Sequence, residues 1–281
     1  MMLISKYRFC NCCIELKTEK PLAEELYFSR FRVDSDEEST LSFNIIKTDA
    51  LPPKSGKEIH SNSRRSVYTD GKTTQYYTAY FDTKLMQYAD YACRTDDKLY
   101  IAEKHGDGEM AVFDALDIPS ILLENGAGIL HCSYVDTGNG AVLFTGVKQV
   151  GKSTQAALWE KYRGTDTVNG DRAGITIEDG KIFANGVPFC GTSDICKNKK
   201  VPVKAIVCLS KSTENKIEKL STLNAFMALI NNFSYNLWDS ESVDAITAIV
   251  KGIVESAPVY SYSCCKDETA VDFLEKELFR I

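Results

Sequence analysis

A nine-residue stretch, GVKQVGKST at residues 146–154, lies near the middle of this 281-residue chain. Its spacing, in which Gly146 is followed after four residues by Gly151, Lys152 and Ser153, is the pattern G-x-x-x-x-G-K-[ST]. Glycines let a loop backbone adopt conformations that a Cβ atom forbids, and they let the backbone approach an anion closely. The pattern therefore predicts a loop that holds a phosphate group.

The flanking segments supply the frame that such a loop requires. Before the loop, Ala141–Phe144 is a short apolar run, typical of a strand buried on both faces. After it, residues 155–162 are mostly good helix formers, and Gly164 is the predicted C-cap of the helix. A strand, a glycine loop and a helix in this order favour a phosphate-binding loop over a surface turn with a coincidental Lys-Ser pair.

The positions of the loop have different expected roles. Successive N–H groups converge on phosphate oxygens, and the N-terminus of the following helix adds the positive end of its dipole. We expect Lys152 to reach the β- and γ-phosphates of ATP, and we expect the Ser153 hydroxyl to bind Mg²⁺. The residues predicted to bind the nucleotide are Gly146, Val147, Lys148, Gln149, Val150, Gly151, Lys152, Ser153 and Thr154.

Composition and charge exclude several classes of protein. The chain has 33 Lys and Arg against 39 Asp and Glu, a net charge of -6, which argues against a nucleic-acid or anionic-membrane partner. No apolar run approaches the length needed to span a bilayer, and Lys6 and Arg8 interrupt the apolar residues at the start. These features predict a cytoplasmic protein whose ten cysteines are mainly reduced thiols.

The cysteines include two clusters. Cys10, Cys12 and Cys13 form one cluster, and Cys264 and Cys265 form the other. Neither has the C-x₂-C spacing of the usual zinc knuckles. Structural or incidental thiols are the first interpretation, and a zinc site that draws on both clusters is the alternative.

Two domains are predicted. Residues 1–95 are polar and rich in tyrosine, with a Pro, Gly and Ser cluster at residues 50–66 that indicates a loop. Residues 41–46 and 75–81 are typical of partly exposed strands, so this part is predicted to be a small α+β module. Residues 96–281 contain the loop and form the predicted P-loop domain.

The sequence of the second domain indicates antiparallel strands. Residues 128–136 and 141–145 face each other across TGNG, and residues 174–177 and 181–184 are joined by Glu-Asp-Gly, so two hairpins are predicted. The fold class is therefore α/β with a mixed sheet. The further predicted elements are strands at 203–209 and 259–263 and helices at 223–233, 242–255 and 268–278.

Four segments carry a resemblance to a known family. They are His131 in a strand before the loop, the loop itself, Val168-Asn-Gly-Asp-Arg172, and Gly186-Val-Pro-Phe-Cys-Gly-Thr-Ser193. From His131 to about Leu278 the chain resembles the kinase domain of HPr kinase/phosphorylase, and more closely a set of shorter HPr kinase-like proteins found beside peptide-modification genes. The resemblance implies an α/β sheet with much antiparallel content, related to that of phosphoenolpyruvate carboxykinase.

The resemblance also implies roles for particular residues. In the family, an aspartate pair after the loop helix binds metal and accepts the proton of a serine hydroxyl. Here Asp171 matches the second acid, Gly170 stands at the place of the first, and Thr154 replaces an acidic residue that follows GKS. The HPr-specific signature is absent from residues 187–193, so an acceptor other than HPr is implied.

The candidate catalytic residues are Asp171, Lys152 and His131, and the candidate metal ligands are Ser153 and Asp171. A strand-end acid beside a P-loop can face the γ-phosphate and the metal. Asp171 is alternatively a turn-capping residue, and His131, which alternates with apolar residues, is alternatively a packed strand histidine.

The candidate substrate-side residues are Arg172, Gly191, Thr192 and Ser193. Arg172 can stabilise charge on the transferring group or grip an acidic substrate, and its alternative is an ion pair with a neighbour. The other three residues form a loop after Cys190 that is either substrate-facing or an ordinary polar loop.

The predicted function is an ATP- and Mg²⁺-dependent kinase that transfers the γ-phosphate to a hydroxyl, in the first place that of a serine. The acceptor is a peptide, a small protein or a small molecule, and a homo-oligomer is compatible with this reading. A non-catalytic nucleotide-binding partner of a peptide-modification system is the alternative, and a plain NTPase is the third. Retention of Asp171 favours the kinase.

Overall fold

The computed structural model describes residues 2–105 and 108–279. The chain divides into two compact units. Unit 1 takes the chain as far as Ile121, apart from residues 9–11, and unit 2 takes those three residues and the chain from Leu122 onward. No helix among the described residues is long and apolar enough to cross a membrane.

Unit 1 is built mainly of strands. Its elements are β1 (Leu3–Phe9), β2 (Cys12–Thr18), α1 (Leu26–Ser29), β3 (Arg32–Val33), β4 (Leu41–Thr48), β5 (Lys57–Ser61), β6 (Arg65–Thr69), β7 (Thr74–Asp82), β8 (Gln87–Thr95), β9 (Lys98–Ala102), α2 (Glu109–Leu116) and the first half of α3 (Ile118–Glu124), whose second half belongs to unit 2. The strands predicted at residues 41–46 and 75–81 are confirmed as β4 and β7.

The nine strands of unit 1 form one mixed sheet in the order β3-β1-β2-β4-β9-β8-β7-β6-β5. Strand β4 is parallel to both β2 and β9, whereas β5 to β9 form an antiparallel meander. Because β9 pairs with β4 and β8, the first unit continues well past the predicted boundary at residue 95. That boundary falls in the β8–β9 hairpin, where the sheet cannot be divided.

Unit 2 contains the glycine loop. Its elements are β10 (Ala127–Asp136), β11 (Ala141–Thr145), α4 (Lys152–Arg163), β12 (Asp166–Asn169), β13 (Arg172–Glu178), β14 (Lys181–Asn185), β15 (Lys200–Lys211), β16 (Lys216–Lys219), α5 (Thr222–Ile230), β17 (Phe233–Ser234), α6 (Ser240–Ser256), β18 (Val259–Cys264) and α7 (Glu268–Phe279).

The sheet of unit 2 is mixed, as predicted. Both predicted hairpins are confirmed, since β10 is antiparallel to β11 and β13 is antiparallel to β14. The predicted helix at 223–233 was too long. Helix α5 ends at Ile230, because Phe233 leaves the helix to pair with Leu130 of β10.

The strands of unit 2 also form a closed circuit. Strand β10 pairs with β13, β13 with β14, β14 with β15, β15 with β11, and β11 again with β10. One apolar cluster, which includes Leu143, Ile175 and Ile206, is shared by these strands and the helices α5 and α6. A second cluster on the other face, which includes Phe144 and Trp159, is completed by α4 and α7. The loop strand β11 is therefore buried on both faces, as its apolar sequence requires.

Candidate functional site

The glycine loop connects β11 to α4, so the predicted order of strand, loop and helix is confirmed. Three of its residues have left-handed backbone angles: Gly146 with φ of 133°, Gln149 with 64° and Gly151 with 121°. A Cβ atom at Gly146 would lie 3.2 Å from the carbonyl oxygen of Leu209. At Gly151 a Cβ atom would meet no neighbour within 4 Å, so the backbone angle alone requires glycine and the space above it is open.

Helix α4 begins without a side-chain cap. Gly151 is its N-cap residue, and the first helical hydrogen bond runs from the Gln155 N–H to the Gly151 carbonyl over 2.9 Å. The N–H groups of residues 152–154 therefore precede the helical ladder and point beyond its N-terminus. Orphan N–H donors and a helix dipole at one place are suited to a phosphate group.

The side chain of Lys152 is folded back onto the loop. It is only 8% exposed, and its ammonium donates to the carbonyl oxygens of Gly146 at 3.0 Å and Val147 at 3.3 Å. Burial lowers the pKa of this lysine, and the Asp171 carboxylate partly opposes that shift. Both of these acceptors are loop carbonyls, so the ammonium can exchange them for phosphate oxygens without moving far.

Strand β10 places His131 beside the loop. Thr145, the last residue of β11, pairs with Cys132, and its hydroxyl donates to the His131 carbonyl at 2.9 Å. On its other side, His131 pairs with Arg172, and the Cys132 N–H donates to the Asp171 carbonyl at 3.0 Å. One strand thus joins the loop to the turn that carries Asp171.

His131, Asp171 and Arg172 form a cluster of charged and polar side chains. His131 Nδ1 lies 3.4 Å from Asp171 Oδ1, and Arg172 Nε lies 3.4 Å from Asp171 Oδ2. The pKa of His131 is lowered, because burial outweighs the attraction of Asp171 and is reinforced by the positive charge of Lys152. The imidazole is therefore neutral near pH 7 and can act as a proton acceptor.

Asn169, which was not among the predicted site residues, holds the turn that carries Asp171. Its side chain is fully buried, and its Oδ1 accepts the N–H groups of Asp171 and Arg172, each at 2.9 Å. Its Nδ2 donates to the Val187 carbonyl at 2.8 Å. An Asn side chain can bond the backbone two residues further on, and Asn-Gly is a sequence signal for a turn, so Asn-Gly-Asp contains the signal.

The loop that contains the predicted substrate-side residues contacts this turn. Gly191 has φ of 56°, and a Cβ atom there would lie 2.7 Å from Asp171 Cγ. Ser193 donates to the Cys190 carbonyl at 2.6 Å, whereas Thr192 is exposed. The Arg172 guanidinium lies 5.8 Å from the centre of the Phe189 ring. Gly191 and Arg172 therefore lie close to Asp171, Ser193 is hydrogen-bonded within its own loop, and Thr192 faces solvent.

The same loop explains why residue 170 is glycine. A Cβ atom on Gly170 would lie 2.2 Å from Ser193 Oγ and 2.3 Å from Ser193 Cβ. Such distances are far below van der Waals contact, and a serine side chain is too short to swing away. An acid at position 170 is thus incompatible with the present course of the loop.

We expect Gly170→Ala to lower the free energy of unfolding by about 1–3 kcal/mol, since the loop must shift to accept the new methyl group. Chemical denaturation of the parent and the variant measures the change. The double variant Gly170→Ala/Ser193→Gly removes the clashing side chain. Relative to Ser193→Gly alone, the alanine should then cost little, and an undiminished cost would contradict this explanation.

A magnesium ion would find few protein ligands here. Ser153 lies exposed in the first turn of α4, and the described residues contain no group of three or more His, Cys, Asp or Glu side chains suited to a metal. Mg²⁺ commonly takes one or two protein ligands and completes its shell with phosphate oxygens and water. A serine and one carboxylate fit that pattern. A zinc site drawn from the cysteine clusters is not found among these residues, where all ten cysteines are free thiols.

Unit 1 contains a separate cavity of about 600 Å³ between α2 and the sheet. The rings of Tyr80 and Tyr91 line it together with His105, whose ring centre lies 4.1 Å from that of Tyr80. Arg64 and Asp114, 3.3 Å apart, stand at its wall. The volume lies in the range of ordinary ligand pockets, and aromatic walls with a few polar groups are typical of them.

Comparisons with known proteins give a limited result. No family model matches the chain, and no curated protein matches it. Among solved structures, the chain is similar to the Hpr(Ser) kinase/phosphatase from Coxiella burnetii, with 14% identity over 54% of this chain and 88% of that one. The TM-score is 0.30, so the similarity is distant.

Proposed function

We propose that this chain is an ATP- and Mg²⁺-dependent phosphotransferase that moves the γ-phosphoryl group to a hydroxyl of a peptide, a small protein or a small molecule. The proposal rests on two features that lie side by side. A glycine loop with a lysine poised over it lies one strand away from an Asp and a neutral His. A phosphate loop alone would support binding, and the neighbouring carboxylate and imidazole support transfer.

Phosphoryl transfer needs charge neutralisation, alignment and a group that receives the acceptor proton. The loop N–H groups and the Lys152 ammonium supply the first two. As the bond between the γ-phosphorus and the acceptor oxygen forms and the bond to the β-phosphate oxygen breaks, the hydroxyl proton passes to Asp171. His131, 3.4 Å from that carboxylate, orients it.

The proposed metal ligands are Ser153 and Asp171, together with phosphate oxygens. Bound there, Mg²⁺ would neutralise charge that develops on the transferred group. Arg172 is proposed to stabilise the same charge from the acceptor side. Its Nε is 3.4 Å from Asp171, and its side chain is 36% exposed, which leaves part of the guanidinium available to a ligand.

The function is tested by incubating the protein with γ-labelled ATP, Mg²⁺ and a library of serine-containing peptides and small alcohols. Label that moves to a hydroxyl supports the proposal. ATP binding without transfer to any acceptor favours the non-catalytic binding partner, for which the glycine at position 170 is the supporting observation. Release of inorganic phosphate alone favours a plain NTPase.

We propose in addition that unit 1 contributes to recognition of the acceptor. The described residues of unit 1 contain no phosphate loop, and its cavity offers aromatic surface beside charged groups. Tyr80→Ala removes one wall of that cavity, and we expect the KM for the acceptor to rise about tenfold. The affinity for ATP should not change, because the glycine loop belongs to unit 2.

The matched control is Tyr88→Ala on β8, which is exposed and does not line the cavity. Steady-state kinetics with varied acceptor and calorimetry with ATP separate the two effects. An unchanged KM for the acceptor in Tyr80→Ala, or an equal rise of that KM in Tyr88→Ala, would show that the cavity does not recognise the acceptor.

A further inference from the structure

A tight turn formed by residues 190–193 lies beside the carboxylate of Asp171. The Cys190 carbonyl accepts the Ser193 N–H at 3.2 Å, which closes the turn, and Gly191 has a left-handed φ of 56°. The same carbonyl accepts the Ser193 hydroxyl at 2.6 Å, and the oxygen of that hydroxyl accepts the Ile195 N–H at 3.3 Å. Backbone and side-chain hydrogen bonds therefore both stabilise the 190–193 turn.

The two carboxylate oxygens of Asp171 face different neighbours. Oδ1 lies 3.4 Å from His131 Nδ1, whereas Oδ2 lies 3.4 Å from Arg172 Nε. A Cβ atom at Gly191 would lie 2.9 Å from Oδ2 as well. The 190–193 turn thus stands against Oδ2. Because an ionised carboxylate oxygen has more than one lone pair, Oδ2 can accept a hydrogen bond from a hydroxyl on this turn.

Thr192, at the corner of the turn, has such a hydroxyl. The residue is exposed, and its hydroxyl forms no hydrogen bond with the rest of the described chain. Consecutive Cα atoms are about 3.8 Å apart, so the close approach of Gly191 places the Thr192 Cα within about 8 Å of the Asp171 carboxyl carbon. The threonine side chain covers part of that distance, and catalytic contacts tighten further when the reactants bind.

Two other hydroxyls near this carboxylate are already engaged. The Ser193 hydroxyl donates to a carbonyl within the turn. Ser133 is fully buried, and its hydroxyl donates to the Gly170 carbonyl at 3.0 Å. Thr192 differs from both serines because it is exposed and its proton is not committed to a protein acceptor.

We propose that Thr192 is a self-phosphorylation site, which accepts the γ-phosphoryl group of ATP bound to its own chain. The inference rests on the proposed phosphotransferase function and names one acceptor hydroxyl. Thr192 Oγ1 forms a bond to the γ-phosphorus, the bond from that phosphorus to the bridging oxygen of the β-phosphate breaks, and ADP leaves. The hydroxyl proton passes to Asp171 Oδ2. An acceptor held on the same chain needs no separate binding step.

The experiment incubates the protein with γ-labelled ATP and Mg²⁺ without any added acceptor, and then locates the label by peptide mapping and mass spectrometry. We expect label on Thr192 in the parent. Thr192→Val keeps the branched shape without the hydroxyl and should lose the label, whereas Thr192→Ser should retain it. Asp171→Asn should slow incorporation by about 10² to 10⁴, as for the loss of a positioned base.

The control variant is Thr83→Val, which removes an exposed threonine hydroxyl from the turn between β7 and β8. It should incorporate label as the parent does. The rate constant for labelling of the parent should not change on dilution of the protein, because donor and acceptor belong to one chain. Thermal unfolding checks that the variants are folded, as expected for exposed positions.

The outcomes distinguish this inference from the function on which it rests. If label persists in Thr192→Val, or if the parent takes no label but phosphorylates an added peptide or alcohol, the assignment of Thr192 is wrong and the proposed function stands. A rate constant that rises with protein concentration shows transfer between molecules and contradicts transfer within one chain. If the parent labels neither itself nor any added acceptor, the proposed function is refuted together with this inference.

Discussion

Replacing Asp171 with Asn is expected to slow phosphoryl transfer by about 10² to 10⁴, the usual contribution of a positioned acid or base. The amide keeps the size of the carboxylate but removes the negative charge that accepts the acceptor proton and helps to hold Mg²⁺. The affinity for ATP should change only modestly, because it comes mainly from loop N–H groups and Lys152. Single-turnover transfer of label and calorimetry with Mg-ATP measure the two effects.

The control for this substitution is Asp179→Asn in the exposed turn between β13 and β14. Asn tolerates the left-handed backbone of that position, with φ of 49°, and the residue lies outside the proposed site. The control should transfer phosphate at the parent rate. If Asp171→Asn does so too, Asp171 is not the base, and His131, 3.4 Å away, becomes the next candidate.

If no acceptor is found, Asp171→Asn still separates two functions. A kinase or NTPase that uses this carboxylate would lose its slow hydrolysis of ATP in the variant. A variant that keeps both ATP binding and hydrolysis of the parent would favour the non-catalytic binding partner.

Lys152→Ala is expected to abolish measurable transfer and to raise the Kd for Mg-ATP by about 10- to 100-fold. The ammonium donates to two carbonyl oxygens of the loop, and the hydrogen bonds that it would form to phosphate oxygens are charge-assisted. Calorimetry with Mg-ATP and a transfer assay measure the change.

Lys161→Ala, on the exposed face of the same helix, is the control for loss of one positive charge from α4. It should leave the affinity and the rate unchanged. Unchanged ATP affinity and turnover in Lys152→Ala would refute a phosphate-binding role for the loop. Denaturation curves for both variants check that α4 remains folded, since Lys152 is buried and Lys161 is not.

Several features of this protein could be predicted from sequence because they depend on a few consecutive residues. The loop geometry follows from the glycines at positions 146 and 151, whose left-handed angles other residues rarely adopt. The two hairpins follow from turn residues between apolar segments, and α4 ends at Gly164 in the left-handed conformation, as predicted. Local backbone preference and short connections suffice for each of these.

Other features depend on contacts between distant segments. The first unit continues past residue 95 because β9 pairs with β4, and the change of composition near residue 95 gives no sign of that pairing. The glycine at position 170 is explained by Ser193, and the buried role of Asn169 by the Val187 carbonyl. Ser193 and Val187 both lie in the loop after β14. The residues next to Gly170 and Asn169 in the sequence therefore do not show why those two positions are Gly and Asn.

The sequence by itself determined that this chain has a strand, a phosphate-type loop and a helix, together with an acid, a histidine and an arginine as candidates. Only the tertiary structure decided that His131 and Asp171 lie together, one strand away from the strand that leads to Lys152. The physical reason is the range of the interactions. Backbone angles are set by neighbouring residues, whereas strand register and order are set by burial of a shared core across the whole unit.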